Sequence, residues 1–150
     1  MDLSFSENQL LYVETVRKLV KNSITPHILE LEKNHKFPWT IIETAWKMGI
    51  INLCIPESVK GFDIDVFSSA LIIKEISYGD TGIATSAMCN DLANVVISQH
   101  GTDQQKERFL RPFVEKPLLA SFCLTEPDAG SDNSMMTSFM AKRDDDAYVL

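Results

Sequence analysis

The stretch best equipped for chemistry is Leu124-Thr125-Glu126-Pro127-Asp128-Ala129-Gly130-Ser131-Asp132, which follows an apolar run from Leu118 to Leu124. Pro127 fixes one φ and removes a donor, Gly130 permits φ > 0, and Asp128, Ser131 and Asp132 can turn their side chains back onto the backbone. A polar loop of this kind, hung on the end of a strand, presents backbone N–H groups and hydroxyls in a fixed arrangement. That arrangement suits a flat polar group or a phosphate. Local chemistry alone favours the plainer reading, an ordinary surface turn.

Other reactive residues are sparse. Cys54, Cys89 and Cys123 are odd in number, widely spaced and without a C-x-x-C pair, so neither a disulfide framework nor a zinc site is indicated and reduced thiols are expected. His27 and His35 lie on no metal-ligand spacing and read as solvated surface residues. Both G-x-G-x-x-G and G-x-x-x-x-G-K-[ST] are absent, so a nucleotide would not be held in the Rossmann or P-loop manner. With 14 Lys and Arg against 21 Asp and Glu, the net charge of -7 leaves no basic footprint for nucleic acid. The amino terminus lacks the basic and apolar regions of a signal peptide, and no apolar run approaches the ~20 residues that cross a bilayer. The expected location is cytoplasmic, or the mitochondrial matrix if a transit peptide has been removed.

These groups must be positioned by a chain of 150 residues, 45% hydrophobic, which is enough for one ordinary core. Ser6 and Gln9 form a capping-box pattern, and Leu10, Val13, Val16, Leu19 and Val20 then repeat at helical spacing until Thr25-Pro26 breaks the helix. A short helix is expected around Ile28 to Glu32. Another runs from Pro38 through Ile41, Ile42, Ala45 and Trp46 to Gly49, a natural residue just past a helix end. Residues 57–65 read as a loop around Gly61. Val66, Phe67, Ala70, Leu71, Ile73 and Ile76 form a broad apolar stripe. Past Gly79-Asp80-Thr81-Gly82, a largely apolar and central helix is expected up to His100, interrupted by Asn90, Asp91 and Asn94. Thr102 and Gln105 give a second capping box, and Pro112 ends or bends the helix that this box starts. After Glu115-Lys116-Pro117 the period changes. The stretches 118–124, 135–142 and 147–150 read as strands, with Asp144-Asp145-Asp146 as a hairpin tip.

Several of these blocks together resemble a known family. Phe122-Cys123-Leu124-Thr125-Glu126-Pro127-Asp128-Ala129-Gly130-Ser131-Asp132 is similar to the signature of the acyl-CoA dehydrogenases, flavoenzymes that desaturate acyl-CoA thioesters. Gly101-Thr102-Asp103-Gln104-Gln105-Lys106, Arg108-Phe109-Leu110-Arg111-Pro112, Met48-Gly49-Ile50, Ile55-Pro56-Glu57 and Tyr148-Val149-Leu150 fall in the family's order. One departure stands out: where the family usually carries a pair of glycines, this chain has Val59-Lys60-Gly61-Phe62.

The resemblance implies a mainly α fold: an amino-terminal helical domain over 1–117, then the first strands of a middle β-barrel domain over 118–150. It implies FAD as cofactor, an acyl-CoA substrate, electron-transfer flavoprotein or another acceptor, and a homo-oligomeric full-length protein. In the family a carboxylate removes the α-proton of the acyl-CoA while hydride leaves the β-carbon for flavin N5. By position, Phe122, Leu124 and Thr125 would contact the isoalloxazine. Gly130 and Ser131 would sit by the FAD pyrophosphate or the CoA end. Met88, Leu92 and Val95 would line the acyl pocket, against plain core packing as the alternative. Glu126 is not taken as the base, because the family places its base in a carboxy-terminal helical domain that this sequence does not contain, so the 150 residues alone are expected to be inactive. An acyl-CoA or nitroalkane oxidase, and a non-catalytic binding or oligomerisation module, are the competing functions.

Overall fold

The computed structural model describes residues 4–137, 141–145 and 147–149. Helix α1 (Glu7–Leu19) starts at a complete capping box: Gln9 N–H donates to Ser6 Oγ and Ser6 N–H donates to Gln9 Oε1. It runs into a π-helical turn over Val20–Ile24, in which Thr25 N–H donates to the Val20 carbonyl five residues back. Thr25 keeps helical angles, so Pro26 ends the helix through its missing N–H and its ring rather than by moving Thr25 out of the α region. Helices α2 (Ile28–Asn34), α3 (Trp39–Lys47), α4 (Val66–Gly79), α5 (Thr81–His100), α6 (Asp103–Phe109) and α7 (Arg111–Glu115) come next along the chain. Two short antiparallel strands, β1 (Lys142–Asp144) and β2 (Ala147–Val149), pair in the register Lys142 with Val149 and Asp144 with Ala147. Asp145 turns between them at φ 49°, and Asp146 lies outside the described residues.

One apolar core joins α1, the π turn, α3, α4, α5 and the 50–53 stretch. Val16, Leu19, Val20 and Ile24 meet Ile42, Ala45, Ile72, Ile76, Ile83, Ala84 and Ala87 there. A smaller cluster of Ile55, Val59 and Leu110 seats the α6–α7 corner, with Ile97, Phe113 and Val114 against it.

Helix α4 does not bury the stripe that its apolar residues suggest. Its inner face is Ser68, Leu71, Ile72, Glu75 and Ile76, while Val66 is 86% and Phe67 55% exposed. Glu75 is admitted to that face because Arg17 of α1 grips it with two bonds, Nε to Oε2 at 2.8 Å and Nη2 to Oε1 at 3.1 Å. The Arg17 bonds hold the Glu75 carboxyl below its ordinary range against the opposing effect of burial. Helix α5 is likewise less apolar inside than expected. Its buried face is Ile83, Ala84, Ala87, Asn90 and Asn94.

Past Glu115 the expected strand over 118–124 is absent. The segment carries no regular structure and has no strand partner among the described residues. Of the expected second strand over 135–142, Met135 ends a 3₁₀ turn, Asn133–Met135, residues 138–140 lie outside the described residues, and Lys142 begins β1. Among the described residues no strand precedes Pro117.

The loop at 57–63 resolves how the chain manages without the second glycine. A 3₁₀ turn, Glu57–Val59, ends at Lys60 with φ 67° and ψ 25°, a left-handed conformation that disfavours a side chain. Gly61 comes so close to the Ile55 carbonyl that an added Cβ would lie 2.1 Å from its oxygen. Lys60→Gly should therefore raise stability by up to about 1 kcal/mol, whereas Gly61→Ala should lower it by more than about 1 kcal/mol. Chemical denaturation reads both, and a destabilised Lys60→Gly would contradict the assigned loop geometry.

A second expectation concerns the ion pair. Because the Glu75 pKa is depressed, the pair's contribution is present above the unfolded carboxylate pKa, near ~4.3, and is lost as pH falls through the lower folded value. Arg17→Met should lower Tm at pH 7, and the gap from the parent chain should close progressively in acid below about pH 4. A pH-independent gap would mean that Arg17 acts through packing alone.

Candidate functional site

From α7 the chain emerges at Lys116 in extended form and reaches the 124–132 loop along a path set by one side chain of α5. Asn90 is fully buried. Its Nδ2 donates to the Leu118 carbonyl at 2.8 Å, and its Oδ1 accepts from Ala120 N–H at 2.7 Å. The second Nδ2 proton goes to Asn52 Oδ1 at 2.7 Å. Asn52 Nδ2 in turn donates to the Phe113 carbonyl, which also accepts from Trp46 Nε1. Leu119, between the two bonded residues, packs on the main core. The segment 118–120 is thus fastened to the helices, while Ser121, Phe122 and Cys123 beyond it are exposed.

Glu126 and Ala129 close a tight turn, with Glu126 N–H donating to the Ala129 carbonyl at 2.9 Å and Ala129 N–H to the Glu126 carbonyl at 3.3 Å. Ala129 is buried beneath it. The Glu126 carboxylate accepts from Thr137 N–H at 2.9 Å, a tie between two arms of the loop. Asp132 accepts from Ser134 N–H and Ser134 Oγ, which hold its carboxyl below the ordinary range.

The residues expected to meet a cofactor flank this turn in sequence and are mostly exposed. Thr125, Gly130 and Ser131 are exposed, Phe122 is 40% exposed and Leu124 is half-buried. Among the described residues the hydroxyls of Thr125 and Ser131 have no hydrogen-bond partner. Gly130 does not use the positive φ that glycine permits, and a Cβ built on it would meet only Thr125 Cγ2, at 4.0 Å. The turn therefore does not need glycine there. What glycine leaves is open space beside Thr125.

Met88, Leu92 and Val95 share one stripe of α5, but Met88 is 39% and Leu92 56% exposed, so plain core packing does not account for those two. A cleft of about 340 Å³ lies between α5 and the tied segment, lined by Phe37, Ser86, Cys89, Leu119, Ala120 and Ser121. None of the three expected acyl-contact residues lines that cleft. His27 and His35 are exposed.

Two groups missed in the sequence reading flank the same helix. Asp91 Oδ1 accepts from Cys54 N–H at 2.9 Å, and Ser98 Oγ donates to the Cys54 carbonyl at 2.7 Å. Burial pushes the Asp91 carboxyl above its ordinary range and, with Asp91 beside it, raises the Cys54 thiol, which leaves that thiol a poor nucleophile. These residues pin the 52–55 stretch to α5. The available signal was the cluster Asn90, Asp91 and Asn94 inside an otherwise apolar helix.

The chain as a whole is similar to known proteins. The family model for the acyl-CoA dehydrogenase N-terminal domain matches residues 6–116, and the chain belongs to that family. The chain is 32% identical over 132 residues to the probable medium-chain specific acyl-CoA dehydrogenase 2, mitochondrial, of Caenorhabditis briggsae, covering 88% of this chain and 32% of the relative. Butyryl-CoA dehydrogenase of Megasphaera elsdenii superposes with a TM-score of 0.85 at 29% identity, over 97% of this chain and 39% of that one. An acyl-CoA dehydrogenase from Bacillus anthracis solved in complex with FAD gives 0.77 at 28% identity, over 87% and 22%. The chain thus spans about a third of the length of the curated relative it matches. Among the described residues, no helix is long and apolar enough to cross a membrane.

The geometry at Gly130 carries its own test. Gly130→Ala should change stability by no more than about 0.5 kcal/mol, because the Cβ enters open space at ordinary φ. A larger loss on thermal unfolding would show that the turn itself requires glycine.

Proposed function

We propose that the chain is the amino-terminal part of an FAD-dependent acyl-CoA dehydrogenase, acting in the α,β-desaturation of an acyl-CoA thioester. Residues 1–117 form its helical domain and 118–150 begin the middle β domain. The observation that carries this reading is the pair of exposed residues Thr125 and Ser131, whose hydroxyls have no partner among the described residues, beside the open space at Gly130. Donor chemistry and room both fit a flat polar group with a phosphate tail. The FAD-bound relative supports the choice of cofactor.

When bound, the FAD supplies the acceptor for the hydride that leaves the substrate β-carbon. The protein's own residues bind and orient. Thr125 offers its hydroxyl and N–H to the polar edge of the ring, and Phe122 and Leu124 pack against its apolar part. Gly130 and Ser131 take the pyrophosphate or the CoA end, where the missing Cβ permits close backbone approach. Met88, Leu92 and Val95 offer apolar surface to the acyl chain. Glu126 is committed to Thr137 N–H, and none of the 150 residues is assigned as the α-proton base. Electron-transfer flavoprotein is the proposed acceptor. Three free thiols suit a reducing compartment, the cytoplasm or the mitochondrial matrix.

The protein purified from its full coding sequence should show flavin absorption bands that bleach when acyl-CoA is added without oxygen. A colourless sample that takes up no flavin would overturn the assignment in favour of a binding module, and rapid oxygen consumption by the reduced protein would mark an oxidase. Within that protein, Thr125→Val keeps the side-chain volume and removes the hydroxyl. It should cost ~0.5–1.5 kcal/mol in flavin binding, about a two- to tenfold loss of affinity, with little change in Tm. Unchanged flavin affinity and reduction rate in both Thr125→Val and Ser131→Ala would remove the site from this loop.

A further inference from the structure

We propose that Asn90 is a positioning residue for the cofactor loop: its carboxamide stands in for a neighbouring strand and sets where Phe122 to Thr125 are presented. The inference rests on the flavin reading of that loop. Leu118 C=O and Ala120 N–H bracket one residue of the segment, and this is the pair that a single residue of a parallel neighbouring strand satisfies. Here the partner is a side chain of α5, with bonds of 2.8 Å and 2.7 Å.

Three further observations favour a clamp over incidental polar burial. Asn90 is fully buried, so all of its bonds are made away from water, where an unmet partner is costly. Its remaining donor goes to Asn52 Oδ1, which fixes which end of the carboxamide faces which backbone group. Among the described residues, Asn90 supplies the hydrogen bonds that join the 118–124 backbone to the helices. From Ala120 to Thr125 the chain then runs five residues through exposed Ser121, Phe122 and Cys123. Only Leu124 on that path is half-buried, so an error in direction at Ala120 is passed on toward Thr125 with little packing to correct it.

The experiment uses the full-length protein. Asn90→Ala is compared with whichever of Ile72→Val and Ile72→Ala matches its Tm, Ile72 being buried in α4 and outside the clamp. Three quantities are read: amide hydrogen exchange at Ala120, FAD affinity, and the rate of flavin reduction by acyl-CoA at saturating substrate. Asn90→Ala should lose Ala120 protection and weaken FAD affinity by about tenfold or more, slowing reduction as well, while the Tm-matched control stays within about twofold on all three. Asn90→Asp, which keeps the acceptor for Ala120 N–H, should restore part of that protection and of the flavin affinity. Asn52→Gly, which suits the left-handed φ of 61° at that position, removes the orienting partner together with its bond to the Phe113 carbonyl and leaves the segment itself untouched. It should give a weaker form of the same pattern, and it carries the test if Asn90→Ala does not fold. A parent protein that binds no flavin overturns both this inference and the function it rests on. A flavin-bound parent whose Asn90→Ala variant loses Ala120 protection but keeps flavin affinity and reduction rate overturns this inference alone. So does a Tm-matched Ile72 variant with the same flavin defect.

Discussion

A segment leaving a helical domain has backbone donors and acceptors that must be met somewhere, and in this chain a buried carboxamide meets two of them. The rest of the structure can be traced outward from that constraint. Asn90 reaches the segment only because α5 is held in place at its start, where Asp80 Oδ1 caps Ile83 N–H at 2.7 Å. Ile83, Ala84 and Ala87 seat the same helix in the core. Helix α4 is held to α1 by the grip of Arg17 on Glu75. Asn94, one turn beyond Asn90, is buried with Nδ2 unpartnered among the described residues, so the inner face of α5 is polar beyond what the clamp itself requires.

Much of the helical part was legible because it depends on local chemistry. The two capping boxes, the break before Pro26, the corner at Pro112 and the cap at Gly49 each arise from residues within a few positions of one another. Where the reading failed, the deciding partner lay far along the chain. Glu75 faces the core because of Arg17, 58 positions away, so an apolar count along α4 selected Val66 and Phe67 and set the buried face wrongly. The π turn cannot be inferred from periodicity, since Val20 and Ile24 also fit a continuing α-helix by their apolar character.

The site was legible in outline and not in mechanism. Pro127, Gly130 and the surrounding Asp and Ser residues announced a turn, and the structure has one at Glu126–Ala129. Its conformation gives Gly130 a different meaning: the residue leaves space rather than supplying an unusual φ. The stretch 118–124 looked like a strand because its side chains are apolar, but pairing belongs to the backbone, and its described backbone hydrogen bonds to the helices come from Asn90. A polar residue in the middle of an apolar helix was the only mark that clamp left in the sequence.

The shared carbonyl of Phe113 has a spectroscopic consequence. It accepts from Trp46 Nε1 at 2.8 Å and from Asn52 Nδ2 at 3.1 Å, so the half-buried indole of Trp46 is wired into the same network as Asn90. The other tryptophan, Trp39, is 49% exposed and meets the Phe37 ring edge-on at 5.1 Å. The two indoles therefore emit from different surroundings, one damp and remote from the clamp, the other shielded and bonded to α7. Any loosening of α7 from the 52–90 network moves the shielded component toward the colour of the exposed one, and the chain carries an intrinsic optical gauge of its own clamp.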